Sequence, residues 1–500
     1  MKTSSKVGFL GLVAFAVSAT LGGGIFSLPA SVADRAPAGI ALFAWLVCGC
    51  GMFCVIRCFM VLAIKKPELK NGVYTYAEAG FGKLFGYLAA FGYWAAGAAA
   101  MASYGMLVAW TLSPLVPAFG AGNTWAAFSL CVCIVLAIFL LASRGIKKSA
   151  IINAIGTLAK FIPLAIFIIA MLCVFNPQIF GSSLFGGFYP ALPTETLGSA
   201  VASGSTLSAN VSSSSVASTS SPLNELMSVS LLTLWVFVGV ESAVVFSRDA
   251  VNQKTVARAT STAFFILFAL YVSVSLLPFG FMSREAIAEL STPSTGYLLA
   301  AVIGPVGLII VSCGILIAIL FGWLVWAQMQ AEMPFSLAQY NSFPPVFKKR
   351  NANGACIPGL IASSLLTLGF FVSAILFGED AWHHIVSLTS TIAGPTYLFS
   401  SCYLLKLTIT QKELWEKGRI GTLVIALLGA VYGCFILFAA GPVNIVYSLC
   451  LLSVSLVLFL WGTKAATGFI TLKFYEKVVI CCMVLASLLG VLAIALGCVG

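Results

Sequence analysis

Long apolar runs recur from one end of this 500-residue chain to the other, and each is long enough to cross a bilayer as a helix. No other feature narrows the fold so far. In hydrocarbon the backbone can satisfy its polar groups only within helices or a closed barrel, and continuous runs do not alternate as barrel strands must. Composition agrees: 60% of residues are hydrophobic and 8% charged, which describes a surface whose solvent is lipid. The expectation is an all-α polytopic membrane protein.

The runs place spans near 7–32, 38–64, 84–113, 123–143, 149–175, 224–247, 259–282, 298–331, 357–378, 384–405, 420–440, 443–461 and 477–499, thirteen in all. The first follows Lys2 and Lys6 but is too long for a signal peptide and meets no convincing cleavage site, so it reads as retained. If the N-terminus is cytoplasmic, 22 of the 26 Lys and Arg residues fall in inner loops. Only Arg35 and Arg284 face outward, while Arg57 and Lys160 lie within spans. The positive-inside rule therefore supports a cell-membrane protein with a cytoplasmic N-terminus and an outer C-terminus. The net charge of +11 reports this topology, and no nucleic-acid partner is implied.

Residues 176–223 form the largest polar stretch, and its Ser-rich centre has too few large apolar residues to build a core. It reads as an outer loop. No phosphate-binding GxxxxGK[ST] motif occurs, so a built-in ATP motor is not expected. Most of the fifteen cysteines lie inside apolar spans and read as packing residues; no Cys–His spacing suits zinc, and neither metal nor cofactor is expected. His383 and His384 sit together at an outer helix end, and Arg57 is near enough to its inner end to snorkel.

Ionisable groups deep in a membrane are the default candidates for function. Lys160 lies near the middle of the fifth span, and Glu241 is the acidic residue deep in the sixth. Two weak points in helix accompany them. Gly22, Gly23 and Gly24 interrupt the first span, and Gly239 lies among β-branched valines in the sixth. Irregular segments at corresponding places, first of one five-span set and first of the next, point to an inverted-repeat transporter. There, freed amides attract a carboxylate and freed carbonyls accept from an ammonium. A free amino acid carries both groups.

The segments GGGIFSLPA, NGVYTYAEAGFGKLFGYLAAFGYW, RGIKKSAIINAIGTLAKFIPL, LWVFVGVESAVVFS and WAQMQAEMPF resemble the basic amino acid/polyamine antiporter family, arginine/ornithine exchangers in particular, and the likeness covers nearly the whole chain. That family belongs to the amino acid, polyamine and organocation superfamily. The resemblance implies two inverted five-helix repeats, 1–175 and 224–406, with helices 1 and 6 broken and residues 407–500 supplying additional spans. It also implies residue roles. The backbone of Gly22, Gly23, Gly24 and the adjoining Ile25 would hold the α-carboxylate; the carbonyls of Thr20, Trp235 and Val238 would take the α-amino group. Trp235 would be a central gate, Trp326 would cover the substrate side chain and Tyr93 would gate the inner side. Glu241 would serve proton sensing or coupling. The Lys160 ammonium would occupy the place of a sodium ion in sodium-coupled relatives.

The chain departs from members that bind arginine, which often carry Trp and Asn where this sequence has Ala98 and Met101. Those two residues mark a candidate side-chain pocket that lacks an amide for a guanidinium. The expected activity is exchange of a cationic amino acid, of the arginine, ornithine or lysine class, for a related amino acid or its decarboxylated amine. Proton-coupled uptake without obligatory exchange is the alternative within transport. A membrane-embedded enzyme is the remote alternative, since no nucleophile–base spacing is visible and no catalytic residue is assigned. A homodimer is left open.

Overall fold

A computed structural model describes residues 8–69, 73–144, 146–184, 221–242, 251–378, 381–415, 418–469 and 472–496. Every regular element among them is helical. In chain order these are α1 (Phe9–Thr20), α2 (Leu28–Arg35), α3 (Ala38–Lys65), α4 (Val73–Phe81), α5 (Lys83–Leu112), α6 (Trp125–Ala142), α7 (Ile146–Val174), α8 (Pro177–Ser183), α9 (Pro222–Phe237), α10 (Gln253–Leu276), α11 (Arg284–Ala288), α12 (Ser294–Ile303), α13 (Val306–Gln339), α14 (Ile357–Phe377), α15 (Ala381–Thr410), α16 (Arg419–Ala439), α17 (Gly441–Thr467) and α18 (Phe474–Ala495).

Nine of these helices are long and apolar enough to cross a membrane, and up to eleven spans result if two bent pairs each count as one. The thirteen expected spans are thus not all recovered by length and apolarity. The sixth is short because α9 stops at Phe237, and residues 243–250 lie outside the described ones. The tenth is the 30-residue α15, whose Thr389, Ser390, Thr391, Thr396, Ser400 and Ser401 lower its apolarity but are buried among neighbouring helices.

Two boundaries are corrected. The eighth span begins at Val306 and not near 298, because Gly304 at φ +79° and Pro305 end α12 and turn the chain back. Gly307 then faces the Leu299 carbonyl at a distance of 2.8 Å for an added methyl, so α12 lies against α13. The stretch read as an outer loop from 176 opens instead with a helix, α8, bent 96° from the end of α7. Asn176 caps it by accepting from the Gln178 N–H at 2.9 Å, with Pro177 at its first position. The Ser-rich centre of that stretch lies outside the described residues.

Burial orders the bundle. In α5, 89% of the apolar stretch is buried, against 6% in α18, so α5 is the central post and α18 a peripheral lipid-facing helix. Close approach to α5 depends on small residues. A methyl added to Gly92 would lie 2.7 Å from the Ile392 carbonyl of α15, and Thr396 donates to the Ala89 carbonyl at 2.9 Å in the same crossing. By contrast, Gly369 on α14 faces open space. Gly92→Leu is therefore expected to destabilise the detergent-purified protein by about 1–3 kcal/mol through overpacking, whereas Gly369→Ala should leave it unchanged or slightly more stable. Thermal unfolding of the two variants side by side measures this.

Candidate functional site

α1 ends at Thr20, one residue short of three consecutive glycines, the weakest helix formers after proline. Leu21 leaves helical geometry at ψ 80°, Gly22 is extended at φ −92° and ψ −168°, and Gly23–Ser27 makes a 3-10 turn before α2 resumes. The two halves meet at 51°. The expected break at the glycine triplet is present, and packing shows why side chains are absent there. Methyl groups at Gly22, Gly23 and Gly24 would collide with Tyr104, Ile319 and Trp235 respectively.

A helix that stops inside a membrane leaves its last carbonyls without intrahelical donors. Here each one has a partner. The Val17 oxygen accepts from the Leu21 N–H at 2.7 Å. Lys160 Nζ on α7 donates to the Ser18 carbonyl and to Ser18 Oγ, both at 3.1 Å. Trp326 Nε1 on α13 donates to the Ala19 carbonyl at 2.6 Å, and the Tyr271 hydroxyl on α10 donates to that of Thr20 at 2.9 Å. The Thr20 carbonyl also accepts from the Gly22 N–H at 2.9 Å. Three helices therefore hold the end of α1.

The second break faces the first. α9 ends at Phe237, and Gly239 turns the chain at φ +110°, a left-handed geometry suited to glycine. A methyl at Gly239 would lie 3.1 Å from the Ala19 carbonyl and 3.0 Å from the Trp326 ring. At the end of α9 the carbonyls of Leu234 and Trp235 accept from Val238 N–H and that of Phe237 from Val240 N–H. Among the described residues no donor reaches the Val236 or Val238 oxygens. Glu241, fully buried, accepts at Oε1 from the Gly239 N–H and from the Tyr397 hydroxyl, both at 3.2 Å. Its Oε2 and the Tyr93 hydroxyl make no hydrogen bond among the described residues, and the Tyr93 ring lies 6.1 Å from that of Trp326.

A cavity lies between the two breaks, lined by Thr20, Gly22, Gly24, Ile25, Ala100, Tyr104, Trp235, Val236, Val238, Tyr271 and Trp326. Trp235 packs over Gly24 and lies edge-on to Trp382 at 5.5 Å. The structure thus brings together Thr20, the glycine segment, Ile25, Trp235, Val238 and Trp326. Tyr93 and Glu241 sit beside them, and Lys160 sits behind the end of α1. Ala98 and Met101 are buried on α5, but the residues of that helix lining the cavity are Ala100 and Tyr104. His383 and His384 are remote from the cavity: His383 pairs with Arg35 and lies 3.7 Å from Asp34, while His384 stacks on Phe377.

Sequence reading missed Tyr104, Tyr271, Tyr397 and Trp382. A tyrosine in an apolar helix looks like any amphipathic packing residue, and only the fold shows which backbone its hydroxyl meets.

Comparison with known proteins follows this geometry. Residues 7–463 match the family model described as amino acid permease. The chain is 32% identical over 501 residues to the arginine/agmatine antiporter of Chlamydia pneumoniae, covering 99% of this chain and 97% of that one. It is 32% identical over 442 residues to the arginine/agmatine antiporter of Chlamydia trachomatis serovar L2, covering 88% and 86%. Among solved structures, a manganese transporter of Eremococcus coleocola shares the fold with a TM-score of 0.54 at 13% identity, over 98% of this chain and 94% of that one. A sodium-coupled sialic acid symporter does so with a TM-score of 0.51 at 12% identity, over 89% and 90%.

Removing the Lys160 ammonium deletes its bonds to the Ser18 carbonyl and to Ser18 Oγ. Lys160→Met is expected to destabilise the protein by roughly 1–3 kcal/mol, the cost of losing hydrogen bonds from a charged donor in a buried place. A thermal midpoint no lower than that of the parent would show that this contact does not hold α1.

Proposed function

The chain belongs to the amino acid permease family, and from that premise we propose that it exchanges a cationic amino acid for a related amino acid or its decarboxylated amine by alternating access. That it is a multi-pass membrane transporter of amino acids or amines, and not an enzyme, follows from its relatives and its apolar helices. The cationic substrate and strict exchange are the finer reading. It rests on the likeness, over nearly the whole chain, to the Chlamydia arginine/agmatine antiporters.

The observation that carries the proposal is the polarity of the cavity between the breaks. On the side of α2, Gly23 and Gly24 open a helical segment whose first N–H groups have no intrahelical acceptor. On the side of α9, the Val236 and Val238 carbonyls accept no hydrogen bond among the described residues. A carboxylate at the first and an ammonium at the second is the polarity of an α-amino acid. In this reading the carbonyl of Val238 takes the ammonium, joined by that of Val236. The carbonyls of Thr20 and Trp235 already carry internal bonds and take a lesser share.

Trp235 acts as the central gate, Trp326 covers the substrate side chain through its ring face, and Tyr93 gates the inner side. Glu241 links protonation to the α9 turn that it bonds, and the Lys160 ammonium occupies the place where sodium-coupled relatives hold sodium. Residues 1–175 and 224–406 form the two repeats, 407–500 the additional C-terminal transmembrane helices, and the N-terminus is cytoplasmic. The apolar and aromatic lining, without an amide at Ala98 or Met101, favours a cation held by ring faces over one held by fixed hydrogen bonds.

Proteoliposomes loaded with arginine, ornithine, lysine or the corresponding amines test the reading directly. Labelled uptake should be accelerated by a loaded partner substrate; uptake equally fast into empty vesicles, and driven by a proton gradient, would favour the proton-coupled alternative. Glu241→Gln should alter the pH dependence of exchange. An unaltered profile in that variant would remove Glu241 from the coupling mechanism.

A further inference from the structure

Tyr104 is the polar side chain of the cavity that the roles above leave unused. It lies on α5, is 5% exposed, and projects toward the extended backbone at Gly22, where a methyl group would strike its hydroxyl. Its ring is held edge-on by Trp323 at 6.4 Å. Across Gly322 it adjoins Lys160: a methyl there would lie 3.5 Å from Lys160 Nζ and 3.6 Å from Tyr104 Cε2.

A buried tyrosine hydroxyl usually finds a protein partner. Tyr271, Tyr397 and Tyr87 do, donating to the Thr20 carbonyl, the Glu241 carboxylate and the Ser455 carbonyl, whereas the hydroxyls of Tyr74, Tyr93 and Tyr432, none of which lines the cavity, make no hydrogen bond among the described residues. Tyr104, lining the cavity, makes no hydrogen bond to protein among the described residues. The carbonyls of Val17 to Thr20 at the end of α1 already carry donors. The Gly23 and Gly24 N–H groups and the Tyr104 O–H gather at this corner, with the Lys160 ammonium behind them. Donors converging beside a positive charge select an anion with more than one acceptor oxygen.

We propose that Tyr104 is a substrate-binding residue whose hydroxyl donates to the α-carboxylate held at the Gly22–Gly24 segment, making it the element that distinguishes a carboxylate-bearing amino acid from its decarboxylated amine. The inference rests on the exchange reading above and deepens it. In an exchanger of amino acid for amine, one cavity must hold both partners, and a donor that only one can use biases the pair.

The experiment is a binding titration of purified protein with arginine and agmatine, and with lysine and cadaverine, on the parent and on Tyr104→Phe. The phenyl ring keeps the packing against Trp323 while deleting the hydroxyl. Affinity for the amino acid is expected to fall about tenfold or more, the effect of losing a hydrogen bond to a charged group. Affinity for the amine should stay within about twofold, well under the tenfold that one such bond confers. The melting midpoint of the unliganded variant reports whether the fold is intact. Equal weakening of both ligands, or an unchanged amino acid affinity in a folded variant, would overturn the proposal. A parent protein that binds amino acids but not amines, with amino acid binding lost in Tyr104→Phe at an unchanged midpoint, would support the carboxylate contact. A parent that binds none of the four would overturn the exchange reading itself, and this inference with it.

Discussion

Backbone carbonyls stranded in the middle of a membrane cost several kcal/mol each, and the end of α1 leaves three of them, Ser18 to Thr20, without an α-helical donor. The rest of the site follows from how they are satisfied. Lys160 from α7, Trp326 from α13 and Tyr271 from α10 each donate to one, so three helices far apart in sequence are fixed to the same point. With the α1 acceptors occupied, the cavity has donors on the glycine side and, at the end of α9, carbonyls that accept no hydrogen bond among the described residues. A binding polarity is therefore a by-product of closing a helix end.

The second break is tied to the first by direct contact, since Gly239 turns against the Ala19 carbonyl and the Trp326 ring. Glu241 holds that turn by accepting from the Gly239 N–H, and Tyr397 connects the same carboxylate to α15. A change in its protonation would act on a turn rather than on a rigid helix. Two short irregular segments against long scaffold helices are suited to a small local change that becomes a larger rearrangement.

Much of this was legible in the sequence because the signals were physical. Apolar runs fixed the solvent and the helical class, three consecutive glycines marked the first break, and Gly239 with Glu241 marked the second. Lys160 stood out as a charge that needed a partner, although the sequence did not say that the partner would be the Ser18 carbonyl. Other features were hidden for equally physical reasons. The α12–α13 turn at Gly304–Pro305 sits inside one continuous apolar run, so hydropathy could not divide it. α15 buries a row of Ser and Thr hydroxyls that bond their own helix, as Thr389 and Thr391 do to the carbonyls four residues earlier. The placement of the Tyr104, Tyr271 and Tyr397 hydroxyls depends on the fold, and no residue spacing encodes it.

The central claim is that substrate occupies the cavity between the breaks in the first and sixth spans. Determining the structure of the protein with arginine or ornithine bound tests it most directly. The account predicts density between Gly22–Gly24 and Val236–Val238, beneath Trp235, with the carboxylate on the glycine side and the α-ammonium toward the end of α9. Density for the ligand elsewhere, or in this cavity with the two groups reversed, would contradict it.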